Sequence, residues 1–372
     1  MNTEHKNTHA PFFIVGCQRS GTTLLSVLFE KHPHIYMERK VMAFRLITCF
    51  DNLYELLPLN LKHNRKEFIK WLIENDLQGR LKELIDLEHL ATYDNVRELI
   101  KGSIEKKLKT EGKVIWGDKA PNGQHFINDL LKLIPEAKFI HIIRDGRANA
   151  YSMSTRAYQS LALSAQLWVD GNIQALVNQQ LIGKEQYKFV HYENLLREPE
   201  KEVRAICSFL QIPYNASMLD LEDQQLQKEE SYVKSFFDIS KIDKWKQQLT
   251  DRETRIIENI QGPLLKELGY ELAISKEQLS FKYLSVGRRF YLQMKDNFKQ
   301  LFRSKRTGMV DKELVEINIS LLSRIDTFIR VLIQSLFSKA IFRSLYQRIF
   351  FANKVFTGVK NETTKNNTHE SD

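Results

Sequence analysis

The 372-residue sequence predicts an α/β fold of three layers, α/β/α, around a central parallel sheet. Short apolar runs begin near residues 12, 137 and 187, and each has the length and composition of a buried strand. An amphipathic helix is predicted after the first run, and a helix over residues 198–210 is predicted after the third. Polar side chains follow each run directly. We therefore expect them to collect at the carboxyl edge of the sheet, where open α/β sheets bind ligands.

The first strand, residues 12–15, leads into a glycine-rich loop. Gly16 and Gly21 permit backbone angles that other residues resist, and a helix is predicted to begin near Thr22. The amides of residues 17–23 would then converge on an anion at the positive end of that helix. This segment predicts a P-loop-like fold with a phosphate-binding loop, against the alternative of a tight βα turn without a ligand.

The loop has the spacing of a nucleotide-binding P-loop, G-x-x-x-x-G-K-[ST], with one substitution. Thr22 occupies the lysine position, and a cation occurs three residues earlier as Arg19. Phosphoryl transfer uses that lysine with magnesium to balance the charge of two phosphates, so its absence disfavours a P-loop kinase. A guanidinium and the hydroxyls of Thr22 and Thr23 suit a smaller and less charged group.

Three later segments also place polar side chains just after a strand. Residues 113–122, KVIWGDKAPN, form a short strand followed by Lys119 and a proline turn. Arg144 ends the second apolar run and is followed eight residues later by Ser152, while Tyr192 ends the third run. Because parallel strands end at the same edge of a sheet, we expect one ligand site built from several strand ends.

Together these motifs resemble the sulfotransferase superfamily, whose enzymes use 3′-phosphoadenosine-5′-phosphosulfate (PAPS). The resemblance covers residues 11–272. Within the superfamily, this segment most resembles the tyrosylprotein sulfotransferases and related bacterial enzymes. It is carried in order by RSGTTLL, HP, RDGRA followed by SM, VHYENLL, FLQIP, KW and LGY. It implies transfer of a sulfuryl group from PAPS to an acceptor hydroxyl. The sequence does not choose among a glycan, a lipid-linked sugar, a peptide tyrosine and a small metabolite.

The resemblance also implies a cofactor site. The family's 5′-phosphosulfate loop is matched by Arg19, Ser20, Gly21, Thr22 and Thr23. Its 3′-phosphate site is matched by Arg144 and Ser152, which would supply a charge-assisted fork and a neutral hydrogen bond. Tyr192 is placed near the nucleotide; its alternative is a strand-end ring packed in the core. These groups can neutralise the charge that gathers on the 5′-phosphate, so no metal is expected.

An acceptor hydroxyl needs a base, which the family supplies as a glutamate or a histidine. Glu38 is the first candidate, although the tyrosylprotein enzymes place their acidic pair slightly later, where Arg39 and Lys40 stand. His125 is the second candidate, because histidine titrates near neutral pH. Its alternative is a polar position on the first turn of the following helix. Lys119 matches a family lysine that helps to stabilise the transferring group, or it is a solvated turn lysine.

The composition is that of a soluble globular chain, with 42% hydrophobic and 27% charged residues. Cys17, Cys49 and Cys207 are scattered without metal-ligand spacing, which fits a reducing cytoplasm better than a disulfide framework. The N-terminus reaches the first strand within about a dozen residues, so we expect neither a secretory signal nor a membrane anchor. The sequence therefore predicts a cytoplasmic enzyme.

We divide the chain into a flexible N-terminus (1–10), a sulfotransferase-like domain (11–272) with a helical insertion (41–110), a basic amphipathic helical appendage (273–360) and a disordered tail (361–372). An insertion at this place in the fold usually covers the acceptor side. Residues 229–249 resemble the family's nucleotide-covering loop and the helix after it, from which Lys234 and Lys241 would reach a phosphate.

The C-terminal appendage is strongly basic. Residues 282–360 contain sixteen Lys or Arg against five Asp or Glu, a net charge of +11, whereas the whole chain has +9. Apolar residues recur every three or four positions, which predicts amphipathic helices whose uncharged runs are too short to span a bilayer.

We expect these helices to bind an anionic membrane surface on its cytoplasmic side, to cap the domain or to form a homodimer. No nucleic-acid partner is expected, because the stretch lacks a recognised motif. The alternative to an enzyme is a nucleotide-binding or membrane-associated scaffold that kept the fold and lost catalysis.

Overall fold

The computed structural model describes residues 9–38, 85–220 and 237–303. These residues divide into two compact units. The first comprises the described residues within 1–157 and 164–283, and the second comprises those within 158–163 and 284–372. The first unit contains every strand of the sheet described below.

A sheet forms the centre of the first unit, with strands β1 (Phe12–Gly16), β2 (Ile35–Glu38), β3 (Ile115–Pro121), β4 (Lys138–Ile143) and β5 (Tyr187–His191). Their order is β2-β3-β1-β4-β5, and every neighbouring pair is parallel. This arrangement confirms the predicted α/β class. Because β1 is central, the loop that follows Gly16 is flanked by the ends of β3 and β4.

Strand β2 is missing from the sequence prediction. It has only four residues, IYME, in which apolar and polar side chains are mixed. It pairs with β3 alone, at the edge of the described sheet. Such a short run carries too little pattern to be recognised as a strand before its partner is known.

The helices of six or more residues in the described ranges are α1 (Thr22–Glu30), α2 (Val96–Thr110), α3 (Ile127–Leu133), α4 (Gly146–Arg156), α5 (Leu161–Ile182), α6 (Tyr192–Arg197), α7 (Pro199–Leu210), α8 (Ser240–Gln248), α9 (Asp251–Glu267) and α10 (Val286–Arg303). The predicted helix over residues 198–210 corresponds to α7. It begins at Pro199, because proline suits the first helical position.

The side chains of β1 show how the three layers form. Phe12 and Ile14 pack in one apolar cluster with side chains of α1 and α7, and Phe13 and Val15 pack in another with side chains of α2 and α3. All four are 0% exposed. Because successive strand residues point to opposite faces, a continuous apolar run needs cover on both sides. The predicted α/β/α layering is therefore confirmed.

The helix prediction around His125 is wrong in detail. His125 lies in a 3-10 turn, Gly123–Phe126, rather than on the first turn of α3. Asn122 precedes this turn with a φ of 63°, and its carbonyl accepts a hydrogen bond from the His125 amide at 3.3 Å. The chain therefore turns tightly after β3 before α3 begins.

Several predictions lie outside the described residues, including the insertion from 41 to 84, Lys234, the appendage beyond Arg303 and the terminal segments 1–8 and 361–372. Helix α2 belongs to the described part of the predicted insertion. Within the described ranges, no helix combines the length and the apolar character that crossing a membrane requires.

Candidate functional site

The loop after β1 depends on two glycines. Gly16 and Gly21 have φ angles of 150° and 106°, which side chains with a Cβ rarely adopt. A Cβ at Gly21 would also lie 2.5 Å from ring atom Cδ2 of Tyr192, and one at Gly16 would lie 2.6 Å from the carbonyl oxygen of Ile142. Gly21 caps α1, which begins at Thr22 as expected. The two glycines thus let the loop pack closely against β4 and Tyr192.

The interior of this loop is fixed by its own polar groups. The Ser20 amide donates to the Cys17 carbonyl at 3.1 Å, and the Gln18 amide donates to Asn122 Oδ1 at 3.4 Å. Asn149 of α4 donates from Nδ2 to the Gln18 carbonyl at 2.7 Å and to Ser20 Oγ at 3.1 Å. The amides of Gln18 and Ser20 are therefore engaged within the protein, contrary to the expectation that all loop amides converge on an anion.

The two arginine motifs meet directly above the sheet. Arg19 has a φ of 67°, and its Nε atom donates to Ser152 Oγ at 3.3 Å. Arg144 donates from Nη1 to the Arg19 carbonyl at 3.1 Å, and its guanidinium lies 4.6 Å from the centre of the Tyr192 ring. The ends of β1, β4 and β5 and the helix α4 thus contribute to one cluster.

A cavity of about 410 Å³ opens over this cluster, lined by Arg19, Gly21, Thr22, Thr23, Leu24, Arg144, Ala148, Tyr151, Ser152, Thr155, Arg156, Tyr192, Lys241, Lys244 and Trp245. Seven of the eight sequence-predicted cofactor residues belong to this lining. The exception is Ser20, which is 1% exposed and supports the loop through Asn149. Among the described residues, five that line this cavity are Arg or Lys, and none is Asp or Glu. We name it the cationic cavity.

Burial and the surrounding charges lower the pKa of Lys241, which lines the cationic cavity. Burial is the largest cause. The Asp238 carboxylate opposes it, and the neighbouring charges of Arg144, Lys244 and Arg156 lower this pKa further. The Arg144 Nε atom is buried and has no hydrogen-bond partner within the described ranges. An anion in the cavity would relieve this repulsion and accept hydrogen bonds from the cluster.

Trp245 lines the cavity and packs against Arg147, which belongs to an ion-pair network that the sequence did not reveal. The Arg147 guanidinium lies 4.1 Å from the Trp245 ring centre and forms 2.7 Å ion pairs with Asp145 and Glu258. Burial opposes the charge of Arg147, but the two carboxylates outweigh it and raise its pKa. In the sequence, Arg147 is the last residue of the motif RDGR, and nothing in that motif indicates its ion pairs. Only the fold brings Glu258 to it, from 111 residues away.

The three predicted catalytic side chains lie outside the lining of the cationic cavity. Lys119 is the nearest by its contacts, because its Nζ atom lies 3.5 Å from Thr23 Oγ1. The prediction that Lys119 and a proline turn follow a short strand is wrong, because β3 continues to Pro121 and Lys119 lies within it, in register with Ile14 of β1. Its ammonium group therefore borders the loop at the start of α1.

Glu38 ends β2, two strands away from β1, which is a distance of about 10 Å at the usual strand spacing. It is 3% exposed, pairs in register with Asp118 of β3, and accepts a hydrogen bond from the Tyr36 hydroxyl at 3.1 Å. His125 lies in the turn after β3. Both base candidates therefore lie on the side of the β1–α1 loop where β3 ends. Residues 39–84, which follow Glu38, lie outside the described ranges.

Within the described residues, one group of side chains has metal-ligand spacing, formed by Asp86, Glu88 and His89. The Asp86 carboxylate is already held by Lys106 at 2.7 Å and by the Tyr93 hydroxyl at 2.8 Å. None of these residues lines the cationic cavity.

Comparison with known proteins identifies a matching family. A model described as the sulfotransferase family matches residues 11–216, more than half of the chain. Protein-tyrosine sulfotransferase 1 of Danio rerio is 24% identical over 278 residues, covering 70% of this chain and 72% of the relative. Protein-tyrosine sulfotransferase A of Caenorhabditis elegans is 26% identical over 288 residues, covering 71% and 68%.

Among solved structures, the sulfotransferase domain of the Synechococcus PCC 7002 olefin synthase is similar to this chain at 21% identity. The match has a TM-score of 0.47 and covers 73% of this chain and 98% of that domain.

Proposed function

Because this chain belongs to the sulfotransferase family, we propose that its cationic cavity holds PAPS while a sulfuryl group passes to an acceptor hydroxyl. The chain is thus an enzyme that transfers a sulfuryl group to a hydroxyl-bearing acceptor. The observation that carries the assignment of the cavity is the meeting of Arg19, Ser152 and Arg144 above the sheet, within one set of contacts of 3.1 to 3.3 Å.

The lining fits PAPS by its charge. PAPS carries a phosphosulfate at one end and a phosphate at the other, and five cations without a carboxylate line the cavity among the described residues. Arg144, whose buried Nε atom has no hydrogen-bond partner within the described ranges, belongs to this lining. When bound, PAPS supplies the sulfuryl group, which is transferred in line to the acceptor oxygen and leaves adenosine 3′,5′-bisphosphate.

The start of α1 is where the 5′ end would be held. Thr22 and Thr23 line the cavity at the positive end of this helix, together with Arg19 of the preceding loop. Lys119 adds an ammonium group next to Thr23. We assign these groups to stabilising the charge that develops on the leaving 5′-phosphate, without a metal ion.

The 3′ end of the nucleotide would lie toward Arg144 and Ser152. The Arg144 guanidinium is stacked over Tyr192, which limits its rotation and directs its donors. Arg156, Lys241 and Lys244 line the same cavity and add positive charge. A phosphate there would exchange cation–cation repulsion for charge-assisted hydrogen bonds.

For the base, we propose the Glu38 carboxylate, with His125 as the second candidate. Glu38 is preferred because a buried carboxylate fixed by Tyr36 has a defined orientation at the end of a strand. Both candidates lie outside the cationic cavity lining, as an acceptor-side base should.

For the acceptor, we propose a peptide tyrosine as the first class to test, because several relatives are named protein-tyrosine sulfotransferases. The experiment incubates the protein and ³⁵S-labelled PAPS with a tyrosine peptide, the matching phenylalanine peptide, a glycan mixture, a membrane lipid extract and small phenols. Label in the tyrosine peptide alone supports the proposal. Label in another class reassigns the acceptor, and no label in any class with tight nucleotide binding favours an inactive scaffold. The Arg144→Ala protein is the matched control.

We also propose that the second unit binds an anionic membrane surface, on the cytoplasmic side where such lipids are common. On α10, Arg288, Tyr291, Lys295 and Lys299 are exposed, and their spacing of three, four and four residues places them on one helix face. The Arg288 guanidinium lies 5.2 Å from the Tyr291 ring centre. Clustered cations beside an interfacial aromatic ring complement a negatively charged headgroup layer. The alternatives are a homodimer contact and a packing cap, and vesicle co-sedimentation distinguishes them from membrane binding.

A further inference from the structure

Two dipeptides stand side by side where β4 and β5 end. Ile143 and His191 are partners in the register of the two strands, so Arg144–Asp145 and Tyr192–Glu193 leave the sheet at the same level. Tyr192 contacts Arg144 through its ring, as described above. Glu193 points away from the cationic cavity and lines a neighbouring cavity of about 590 Å³.

The Glu193 carboxylate holds the backbone beside Arg144. It is 5% exposed, and its Oε1 atom accepts a hydrogen bond from the Asp145 amide at 2.9 Å. Its Oε2 atom accepts one from the Tyr270 hydroxyl, also at 2.9 Å. On the other side of the same peptide group, Trp168 Nε1 donates to the Arg144 carbonyl at 3.0 Å. Both polar atoms of the Arg144–Asp145 peptide are therefore fixed by buried side chains.

The Arg144 side chain is set by this peptide and by few other contacts. Its Nη1 atom donates to the Arg19 carbonyl at 3.1 Å, its Nη2 atom lies 3.5 Å from the Lys241 carbonyl oxygen, and Tyr192 lies against its guanidinium. A rotation of the Arg144–Asp145 peptide would move the guanidinium relative to the cationic cavity. It would also shift the hydrogen bond that links Arg144 to the loop.

We propose that Glu193, anchored by Tyr270, is a positioning residue that directs Arg144 at the 3′-phosphate and so sets the preference for 3′-phosphorylated nucleotides. This inference rests on the proposed function of the cationic cavity. Glu193 acts through Arg144 and contacts neither nucleotide nor acceptor. Two hydrogen-bonding atoms at a fixed spacing are needed, since one oxygen of Glu193 meets the Asp145 amide and the other meets the Tyr270 hydroxyl.

The side chains that can replace Glu193 follow from this geometry. Glutamine keeps an oxygen for the Asp145 amide, and its NH₂ group can donate to the Tyr270 oxygen, whose hydroxyl can turn toward His191 Nδ1 at 3.3 Å. Alanine leaves the buried Asp145 amide without its acceptor. Phenylalanine at position 270 removes one anchor and keeps the other.

The test measures binding of adenosine 3′,5′-bisphosphate and adenosine 5′-phosphate by calorimetry and takes the ratio of the two affinities. We expect Glu193→Ala to lower this ratio by about tenfold, the effect of one hydrogen bond to a charged group. We expect Tyr270→Phe to lower it less, and Glu193→Gln to restore most of it. The KM for PAPS should rise in the same order.

Asp86→Ala is the matched control, because the Asp86 carboxylate is buried, accepts hydrogen bonds from Tyr93 and Lys106, and lines neither cavity. It should lower the melting temperature and leave the ratio unchanged. An unchanged ratio in Glu193→Ala, or in Tyr270→Phe if the alanine variant does not fold, overturns the positioning role. If the wild-type protein shows no preference for the 3′-phosphate, the proposed nucleotide site itself fails, which is a different result.

Discussion

Arg19 and Ser152 are 133 residues apart in the chain, yet the Arg19 Nε atom lies 3.3 Å from the Ser152 hydroxyl oxygen. One belongs to the loop after β1 and the other to α4, which follows β4 next to β1 in the sheet. Two short motifs thus become one site because their strands are neighbours and parallel. Nucleotide binding should depend on both.

We expect Arg19→Ala and Arg144→Ala each to weaken binding of adenosine 3′,5′-bisphosphate by about 2 to 5 kcal/mol, because each removes a charged partner of a phosphate. Arg144→Ala should also lose most of the preference for nucleotides with a 3′-phosphate, whereas Arg19→Ala should keep it. Calorimetry with both nucleotides checks this, with the exposed Arg252→Ala as control. An unchanged 3′-phosphate preference in Arg144→Ala would remove that residue from the site.

We expect Glu38→Gln to keep PAPS affinity and to lower turnover by about 10² to 10⁴, because the amide retains the shape of the side chain and cannot accept the acceptor proton. His125→Ala is measured beside it under the same conditions. If His125→Ala loses turnover to this extent while Glu38→Gln is close to the wild type, the role of base passes to His125. Comparable losses in both would mean that neither acts alone.

We expect full sulfuryl transfer in excess EDTA. The reason is that, in the proposed site, Arg19, Thr22, Thr23 and the nearby Lys119 would supply the charge stabilisation that a magnesium ion provides in phosphoryl transfer. Initial rates with EDTA are compared with rates after magnesium or zinc is added back. A strict requirement for magnesium, together with phosphate transfer from ATP, would revive the kinase alternative.

We expect the second unit to bind vesicles that contain anionic lipid. Each cation that reaches such a surface contributes on the order of 1 kcal/mol, and this attraction weakens with salt because exposed charges are screened over about 8 to 10 Å. A triple variant, Arg288→Ala, Lys295→Ala and Lys299→Ala, removes the three cations of the exposed α10 face. It should therefore sediment less with these vesicles at low salt. The apolar part of the interaction should persist at high salt.

The matched control removes three exposed lysines elsewhere, at Lys101, Lys109 and Lys184, and should sediment with vesicles like the wild type. Wild-type protein that stays in the supernatant at low salt contradicts the membrane proposal. A change of mass in light scattering for the α10 variant would instead favour a homodimer, and a lower melting temperature without either effect would favour a cap.

The loop after β1 and the start of α1 could be predicted, because the sequence signals for them are local. The apolar run before Gly16, the glycines of the loop and the start of α1 at Thr22 are all set by neighbouring residues, and the structure has them as expected. Arg144 directly follows β4 and Ser152 lies eight residues later on α4, so their spacing is also set within one short stretch of the chain.

What could not be predicted depends on residues that meet only after the chain folds. Asn149 holds the loop from α4, Glu258 neutralises Arg147 across 111 residues, and Glu193 fixes the peptide after Arg144. No spacing in the sequence links these partners, because each contact crosses between strands or from helix to loop. The sequence alone determined the fold class and the motifs whose residues line the cationic cavity. The tertiary structure decided which buried polar groups hold them in place, since a buried charge or amide must find its partner wherever packing brings one within reach.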